Sequence, residues 1–240
     1  GQLYIRGGAP IQNLVKLDGM ILYNPFHSIG FFSVFDTDIL QRADVYTAGF
    51  GAKYGGRNSS VMDIRTRSGN RKKYSGKVSS STYMSKVLLE APIGKRGVDG
   101  LAPSSLLISA KASYLDAIAP IVYPYVATEY GGLPFSFQDI FGKYSIESKG
   151  GNRVNLFGFN FNDAVRFAGD KTISWQSNGY GADFLVIPAS SGTLIEAHLA
   201  QSNYKIQSTE LLNRPRQSAI DGFNGGLDFT YLLRKYDEFK

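Results

Sequence analysis

The chain has 240 residues, a formal charge of +6 and 43% hydrophobic residues, which is enough for one large β domain or two ordinary domains. Cysteine is absent, and this excludes disulfides, thiolate metal sites and cysteine nucleophiles. There is no apolar run of about 18 residues or more, so a transmembrane helix is excluded, whereas half-apolar β-strands of about 9–11 residues would still cross a bilayer.

Histidine and charge give little sign of a catalytic or metal centre. His27 and His198 are far apart in sequence, and no metal site or cofactor is expected. Lysine and arginine are spread along the chain, and their densest cluster lies in residues 65–73. This cluster would suit phosphate groups of nucleic acid or lipid headgroups, or it would be a solvated junction between two structural units.

The first part of the chain predicts short strands joined by turns. The stretch "LYIRGG" predicts a strand ended by a Gly-Gly turn, and "NLVKLDGMILY" predicts two strands around an Asp-Gly corner. The aromatic stretch "NPFHSIGFFSVF" predicts a loop opened by Asn-Pro. In "DTDILQRADVY", Asp36 or Asp38 is expected to cap one short helical turn before a strand.

A glycine-rich corner, "TAGFGAKYGGRN", precedes the strand "SVMDIRTRSG". A dinucleotide-binding fingerprint fails here, because Tyr54 replaces the third glycine and a strand follows in place of a helix. A phosphate-binding loop also fails, because Arg57 and Asn58 replace the lysine and the hydroxyl residue. No G-x-S-x-G occurs in the chain, so a nucleophile elbow is absent. The corner is therefore expected to be structural.

The order "IRGG…NLVKLDGMILYNP…FGAKYGGRNSSVMDIRTRSG" resembles the carboxy-terminal part of the plug domain of TonB-dependent outer-membrane receptors. It is most similar to the Bacteroidota kind that often carries a carboxypeptidase-regulatory-like extension. The resemblance covers residues 2–70 and implies a small α+β plug over residues 1–70. The residues that carry it as structural plug motifs are Arg6, Gly7, Gly8, Asp18, Gly19, Tyr54, Gly55, Gly56, Arg57 and Asp63.

In such plugs the glycine corner turns the chain so that the last plug strand continues into the barrel, and glycine tolerates the positive φ that this needs. Two interpretations of Arg57 and Asp63 remain open. They form ion pairs or hydrogen bonds within the plug or to the barrel wall, or they are ordinary surface charges.

From Lys72 onward the sequence alternates with period two, with apolar residues on one face and polar residues on the other. A lipid-facing strand needs this pattern, and a soluble β-sandwich shows it too. Eight strands are predicted, near residues 74–83, 85–94, 104–115, 137–148, 152–161, 172–187, 193–204 and 219–234.

The lengths of the connections favour a membrane barrel. Links are short after the fourth and sixth strands, and long at 116–136, 162–171 and 205–218. Seven tyrosines near strand ends suit the headgroup interface, although ordinary strand positions explain them as well: Tyr83, Tyr114, Tyr123, Tyr125, Tyr130, Tyr204 and Tyr236.

Eight strands leave a lumen too narrow for a plug, whereas plugged transporters have about 22 strands. Residues 71–240 are therefore expected to be the amino-terminal portion of an antiparallel transmembrane β-barrel, and the whole fold to be mainly β. The expected location is the outer membrane of a Gram-negative cell, as a multi-pass barrel in contact with outer-membrane lipid.

The resemblance implies energised import of a scarce ligand, with the TonB–ExbB–ExbD complex as partner. Siderophore, cobalamin, glycan and peptide all remain open as the ligand. The apical plug loop is the expected ligand site, and packing of the same loop against the barrel wall is the alternative. The ligand-binding residues implied are Tyr23, Asn24, Phe26, His27 and Phe32.

Other functions remain as alternatives. A receptor-shaped barrel that does not transport would be a subunit of a larger assembly, with a surface lipoprotein or other outer-membrane subunits as partners. An enzyme is not expected and no catalytic residue is assigned, because helix capping explains Asp36 and Asp38. A soluble nucleic-acid-binding protein rests only on the +6 charge, and nucleic acid is not expected as a partner.

Overall fold

The computed structural model describes residues 4–27, 30, 32–47, 49–51, 53–122, 124–125, 135–167, 171–188, 192–210, 213–234 and 237–239. Within these ranges the chain is mainly β, with two large sheets and one small hairpin. The elements are a 3-10 turn at Pro10–Gln12, β1 Asn13–Leu17, β2 Met20–Ile21, β3 Phe26–His27, β4 Phe32–Ser33, β5 Leu40–Tyr46, β6 Ser60–Thr66, β7 Ser75–Ser80, β8 Met84–Ile93, β9 Ser104–Ser113, α1 Leu115–Val122, β10 Phe135–Glu147, β11 Arg153–Phe167, β12 Lys171–Val186, β13 Thr193–Glu210, β14 Asn213–Arg234 and β15 Asp237–Phe239.

The first sheet, called the inner sheet below, has the strand order β2-β1-β6-β5. β1 and β6 are parallel, and the other neighbouring strands are antiparallel. The predicted Asp-Gly corner joins β1 to β2, with φ of 48° at Asp18 and 89° at Gly19. Positive φ at two consecutive positions is the geometry of a two-residue hairpin turn, and Asp-Gly sequences adopt it readily.

Two predictions for this part of the chain need correction, and a third is confirmed. The strand predicted in "LYIRGG" is a tight turn, because Arg6 and Gly7 have φ of 51° and 75° and only one bridge, Ile5 to Gly8, is formed. The single turn expected near Asp36 is present: the Ile39 amide donates to the Asp36 carbonyl at 3.2 Å, and the Asp36 carboxylate accepts from the Asp38 amide at 3.0 Å. The predicted aromatic loop contains the β3–β4 hairpin.

The glycine corner joins β5 to β6, which are antiparallel neighbours in the inner sheet. The connection to the second sheet comes later, at 67–74, so the corner does not itself lead the chain out of the inner sheet. Tyr54 folds back from the corner into the interior, where its hydroxyl donates to Asp63 at 3.0 Å. Its ring lies 5.4 Å from that of Tyr46. The corner is closed by burial of this one tyrosine.

The second sheet, called the wall sheet, is antiparallel with strands in sequence order from β7 to β15, and these two strands form its edges. The eight predicted strands correspond to β7–β14. Alternation places one face of each strand towards the inner sheet and the other outwards, as the sequence predicted. The outward face carries exposed large apolar side chains, among them Leu89, Ile140, Leu156, Tyr180, Leu199, Phe223, Leu227 and Phe229.

Two of the predicted loops are wrong. Among the described residues, 162–167 and 171, and likewise 205–210 and 213–218, continue as paired strands, so that β11–β12 and β13–β14 form long hairpins. Their outward face turns from apolar to amide, with Asn160 donating to Asn178, and Asn203 to Asp221 at 2.6 Å. The apolar signal stops where these amides begin, but backbone pairing continues, because the ladder of hydrogen bonds does not need apolar side chains.

The prediction that seven tyrosines suit the headgroup interface is wrong for Tyr204. Tyr204 faces the inner sheet, where its ring lies 6.4 Å from that of Tyr23, so it is not an outward interfacial residue. Tyr123, Tyr130 and Tyr236 lie outside the described residues.

The inner sheet packs on the inward face of the wall sheet and shares one apolar core with it. Residues of both sheets form this core: Val15, Leu17, Met20, Leu22, Val34, Ile39 and Ile64 on the inner side, and Leu88, Leu107, Phe141, Phe157, Phe159, Phe161 and Ala200 on the wall. Because neither set is buried without the other, docking of the two sheets supplies much of the apolar burial.

The basic cluster at residues 65–73 joins the two sheets. Arg67 makes a two-point contact with Glu90 on β8, at 2.7 and 2.8 Å. Arg71 lies 3.1 Å from Glu147 at the end of β10. These arginines face carboxylates of the wall, which favours the junction interpretation over phosphate binding.

A buried lysine provides a further polar contact between the sheets. Lys143 on β10 is 3% exposed and donates to the carbonyl and hydroxyl oxygens of Thr66, each at 3.0 Å. It also lies 3.4 Å from the carboxylate of Asp18, which accepts the hydroxyl hydrogen bond of Thr66. Burial raises the pKa of Asp18, and the charge of Lys143 opposes that rise.

Replacing Lys143 by methionine should weaken docking of the inner sheet by about 3–5 kcal/mol, because a buried carboxylate would lose its cation. Urea titration of the full-length protein, with protease cleavage of the inner sheet as readout, measures this. Lys77→Met is the matched control, since Lys77 is 55% exposed and pairs with Asp38 at the surface. That control should cost no more than about 1 kcal/mol, and equal effects would contradict the assignment.

A glycine of β12 allows close approach between the sheets. A Cβ added to Gly179 would lie 2.6 Å from the Phe159 ring and 2.9 Å from the Met20 sulfur. Gly179→Ala should therefore destabilise the docked state by about 1–3 kcal/mol through overpacking, measured by the same urea titration. Gly142→Ala serves as control, because a Cβ there meets nothing within 4 Å. Unchanged stability in the Gly179 variant would show that the sheets do not meet here.

Candidate functional site

The site is built on the segment that follows β2. Asn24 and Pro25 turn the chain, and the Asn24 side-chain oxygen accepts from the Phe26 amide at 3.2 Å. The short β3–β4 hairpin follows, with Phe26 opposite Ser33. Successive side chains of a strand point to opposite faces. Phe26 therefore faces a cavity, whereas His27 faces the wall sheet.

The cavity has a volume of about 420 Å³ and lies between the inner sheet and strands β12 and β13. The side chains of Asn24 and Tyr204 line it from opposite sides. Its lining is mostly apolar and aromatic: Pro10, Ile11, Asn13, Val15, Leu22, Tyr23, Asn24, Pro25, Phe26 and Gly30 from the inner part, and Ile173, Trp175, Tyr204 and Ile206 from the wall.

Such a lining has a definite chemistry. Aromatic rings stack on flat or apolar ligand surfaces, and a few phenol and amide groups fix orientation by hydrogen bonding. The size is in the range of small-molecule sites. The cavity is therefore suited to a compact ligand with ring or apolar surface and a few polar atoms.

The structure brings three of the five predicted ligand residues to this cavity, namely Tyr23, Asn24 and Phe26. His27 is turned away from it and is 1% exposed, so it does not line the cavity. Phe32 lies in β4, and its side chain is outside the described part of the structure.

Sequence reasoning missed the wall residues of the cavity. Trp175 and Tyr204 stand on the inward face of their strands, next to Ile173 and Ile206, where the following inward positions are serine and glycine on β12 and serine and alanine on β13. The sequence signal that could have identified them is a large aromatic side chain at an inward position of a wall strand. These strands pack against the segment around Tyr23, which lies far away in sequence, and a local sequence pattern does not predict such a contact.

The residues implied as plug motifs have separate structural roles. Arg6, Gly7 and Gly8 form the first turn, in which a Cβ on Gly8 would collide with Ser59. Gly19 approaches His198 of β13, with a built Cβ 3.1 Å from the imidazole.

The remaining motif residues lie around the glycine corner. Burial and the neighbouring carboxylate of Asp63 raise the pKa of Tyr54, so its hydroxyl stays a donor. Asp63 is buried, and Arg65 lies 3.5 Å from it. Gly55 and Gly56 are exposed in the turn. Arg57 is exposed and donates to its neighbour Gly56 at 2.9 Å. The surface interpretation therefore fits Arg57, whereas the internal one fits Asp63.

The carboxylates of Asp36 and Asp38 form ion pairs with lysines of the wall sheet. Lys86 on β8 contacts both carboxylates, at 2.8 Å for Asp36, and Ser109 donates to Asp36 at 2.7 Å. Burial opposes the charge on Asp36, but these hydrogen bonds outweigh it and hold the pKa of Asp36 below its usual value. The pair thus serves the contact between the sheets.

A second cavity of about 410 Å³ lies further along the same strands and is polar. Groups of both signs line it: Asp18, Lys53, Asp63, Arg65, Lys143, Arg153, Asp183, Glu196, His198 and Asp228. Mixed charge of this kind holds water and does not select one sign of ligand. We therefore place the candidate ligand site in the aromatic cavity.

In the part of the chain that the structure describes, no group of three or more histidine or acidic residues is arranged to hold a metal ion. No helix among these residues is long and apolar enough to cross a membrane.

Comparison with known proteins finds a family model that is similar to the first part of the chain. Residues 1–61 match the TonB-dependent Receptor Plug Domain. No curated protein matches the chain at a significant level.

Solved structures extend the comparison to the wall sheet. The siderophore receptor PirA from Acinetobacter baumannii has a TM-score of 0.66 at 15% identity, over 99% of this chain and 40% of that one. A double mutant of the hemophore receptor HasR from Serratia marcescens, in complex with its hemophore HasA and heme, has a TM-score of 0.64 at 13% identity, over 92% and 34%. A mutant of the ferric enterobactin receptor PfeA from Pseudomonas aeruginosa has a TM-score of 0.61 at 14% identity, over 96% and 40%.

The chain thus spans 40% or less of the length of these three receptors. The TM-scores show that the fold is shared. Because the identities are low, the ligand of this protein remains undetermined. The match over residues 1–61 and the shared fold together show that this chain has the architecture of a TonB-dependent receptor, with a plug domain followed by part of the barrel wall.

Proposed function

We propose that this chain belongs to an outer-membrane receptor that imports a scarce ligand through a plugged barrel. The observation that carries the proposal is the aromatic cavity between the plug segment Tyr23–Phe26 and the wall residues Trp175 and Tyr204. A ligand held there touches both the plug and the wall, so movement of the plug changes its binding site.

The wall sheet supports placement in the outer membrane. Its outward face exposes large apolar side chains such as Leu227 and Phe229, at 59% and 56%, which lipid would cover. Its inward face meets the plug through buried charges and a shared core. Passage of a ligand requires these contacts to yield, and we propose the TonB–ExbB–ExbD complex as the source of the energy.

Several finer assignments are part of the same proposal. Residues 1–70 are the carboxy-terminal part of the plug and 71–240 the first portion of the barrel. The order of motifs supports a receptor of the Bacteroidota kind with a carboxypeptidase-regulatory-like extension. Ferric siderophores and heme, which the three similar receptors are named for, are the first ligands to test, followed by cobalamin, glycans and peptides.

Uptake measurements test the function directly. Cells with and without the full-length receptor, each in a TonB-containing and a TonB-depleted background, would be given the labelled ligands one at a time. The proposal expects one ligand class whose uptake needs both the receptor and TonB. Uptake that is independent of the receptor for every ligand, together with purification in a stable complex with other outer-membrane subunits or a surface lipoprotein, would favour the non-transporting alternative.

Trp175 should contribute directly to ligand affinity. Replacing it by alanine removes a large ring from the cavity wall, and we expect affinity for the ligand selected by uptake to fall about tenfold. Equilibrium binding to the purified full-length receptor measures the change.

Tyr180→Ala is the matched control, because Tyr180 lies on the same strand, faces outwards and is 64% exposed. It should leave affinity unchanged while altering the strand to a similar degree. An equal loss in both variants would indicate damage to β12, and no loss in either would remove the cavity from the ligand site.

A further inference from the structure

His27 is held between two carboxylates of the wall sheet. Its Nε2 atom lies 2.8 Å from Asp139 on β10, and its Nδ1 atom lies 3.1 Å from Asp163 on β11. The ring stacks on Phe137 with centroids 4.3 Å apart and meets Phe161 edge-on at 6.4 Å. The side chain is therefore fixed in position on both ring nitrogens and on a ring face.

This geometry determines the protonation state of the imidazole. Ionised carboxylates only accept hydrogen bonds, whereas a neutral imidazole has one donor nitrogen and one acceptor nitrogen. Both ring nitrogens can be satisfied together only if both carry a proton. With both carboxylates ionised, the observed contacts require His27 to be an imidazolium cation.

The charges around His27 are balanced. Lys111 on β9 lies 2.9 Å from the same Asp139 carboxylate and donates to the Ser33 carbonyl at 3.0 Å. Two cations, His27 and Lys111, therefore face two anions, Asp139 and Asp163. Loss of the histidine proton would leave one excess negative charge in a buried site and turn a nitrogen lone pair towards a carboxylate.

Further charged and titratable groups lie around this cluster. Tyr204 on β13 is near Asp163. Asp36, with Lys86, lies beyond Lys111 on the side of β8 and β9. Burial lowers the pKa of His27, but the hydrogen bonds to Asp139 and Asp163 outweigh burial, and the pKa lies above its usual value of 6.5.

We infer that His27 is a proton-dependent positioning residue for the aromatic cavity. It sits next to Phe26 on β3, so the imidazolium that fastens β3 to the wall also keeps Phe26 at the cavity and Asn24 within reach of Tyr204. An effect of His27 on ligand affinity rests on the proposed function. The attachment of β3 to the wall by His27 does not.

The direction of the pH effect follows from the raised pKa. A group whose pKa is higher in the docked state than in the free state stabilises docking fully below the free value, near 6.5 for histidine. This stabilisation is lost as the pH rises through the docked value. The cavity is therefore fully formed in mildly acidic solution and loosens as the solution becomes alkaline.

Trp175 provides a reporter that needs no ligand. It is the one tryptophan of this sequence and lines the cavity, and subtracting the spectrum of a Trp175→Phe variant isolates its emission in the full-length receptor. Titration between about pH 5 and 9, below the usual range of tyrosine ionisation, should show one transition with its midpoint above the ordinary histidine value.

Variants identify the group responsible. The transition should vanish in His27→Gln, which cannot titrate, and its midpoint should fall in Asp163→Asn, which retains the histidine with one carboxylate fewer. Tyr204→Phe should leave the transition in place. If His27 had only a structural role, His27→Gln would lower stability but would not remove the pH-dependent transition in Trp175 emission.

The outcome that overturns the inference is a wild-type receptor without the transition, or a His27→Gln variant that keeps it. Heat-dependent migration on gels shows whether each variant is inserted and folded, and Asp163→Asn tests the same contact if His27→Gln fails to fold. In a binding assay, wild-type affinity should fall by up to about tenfold per pH unit above the midpoint, and His27→Gln should show no such fall. Failure of uptake would leave the ligand-free transition intact, so the two proposals fail separately.

Discussion

The main constraint on this structure is that polar groups on the inward face of the wall must find partners once they are buried. Alternation along each wall strand places Lys143, Asp139 and Lys111 inwards at less than 9% exposure. An unpaired charge in such a place would be severely destabilising. The inner sheet supplies a partner through Thr66, and the β3–β4 hairpin supplies His27 and the Ser33 carbonyl. The two sheets are thus matched in charge as well as in shape.

The two sides of this interface differ in chemistry. Among the described residues, the ion pairs that link residues 18–71 to the wall use strands β7, β8, β10 and β11. Towards β12–β14 the contact is mainly steric, with β2 lying against small residues such as Gly179, and Tyr23 against Gly222. The aromatic cavity opens along this second side. The wall therefore contacts the inner part of the chain through ion pairs on one side and borders the aromatic cavity on the other.

How much the sequence predicts depends on whether the pattern is local. The Asp18–Gly19 turn and the alternation of β7–β14 were predicted, because a turn dipeptide and a period of two are visible over a few residues. The lengths of β11–β14 were not, since their outer parts carry amides and lack the apolar signal. For His27, local sequence shows an aromatic loop but not its direction, and the two aspartates that face it come 112 and 136 residues later.

Hydrogen–deuterium exchange of the purified full-length receptor tests most directly whether the inner sheet is docked in the wall. The account predicts that peptides covering β1 and β6 exchange as slowly as those covering β10 and β11, because both sets are buried in one shared core. Exchange of β1 and β6 within seconds, while the wall strands stay protected, would contradict it and show that the two sheets do not form one structural unit.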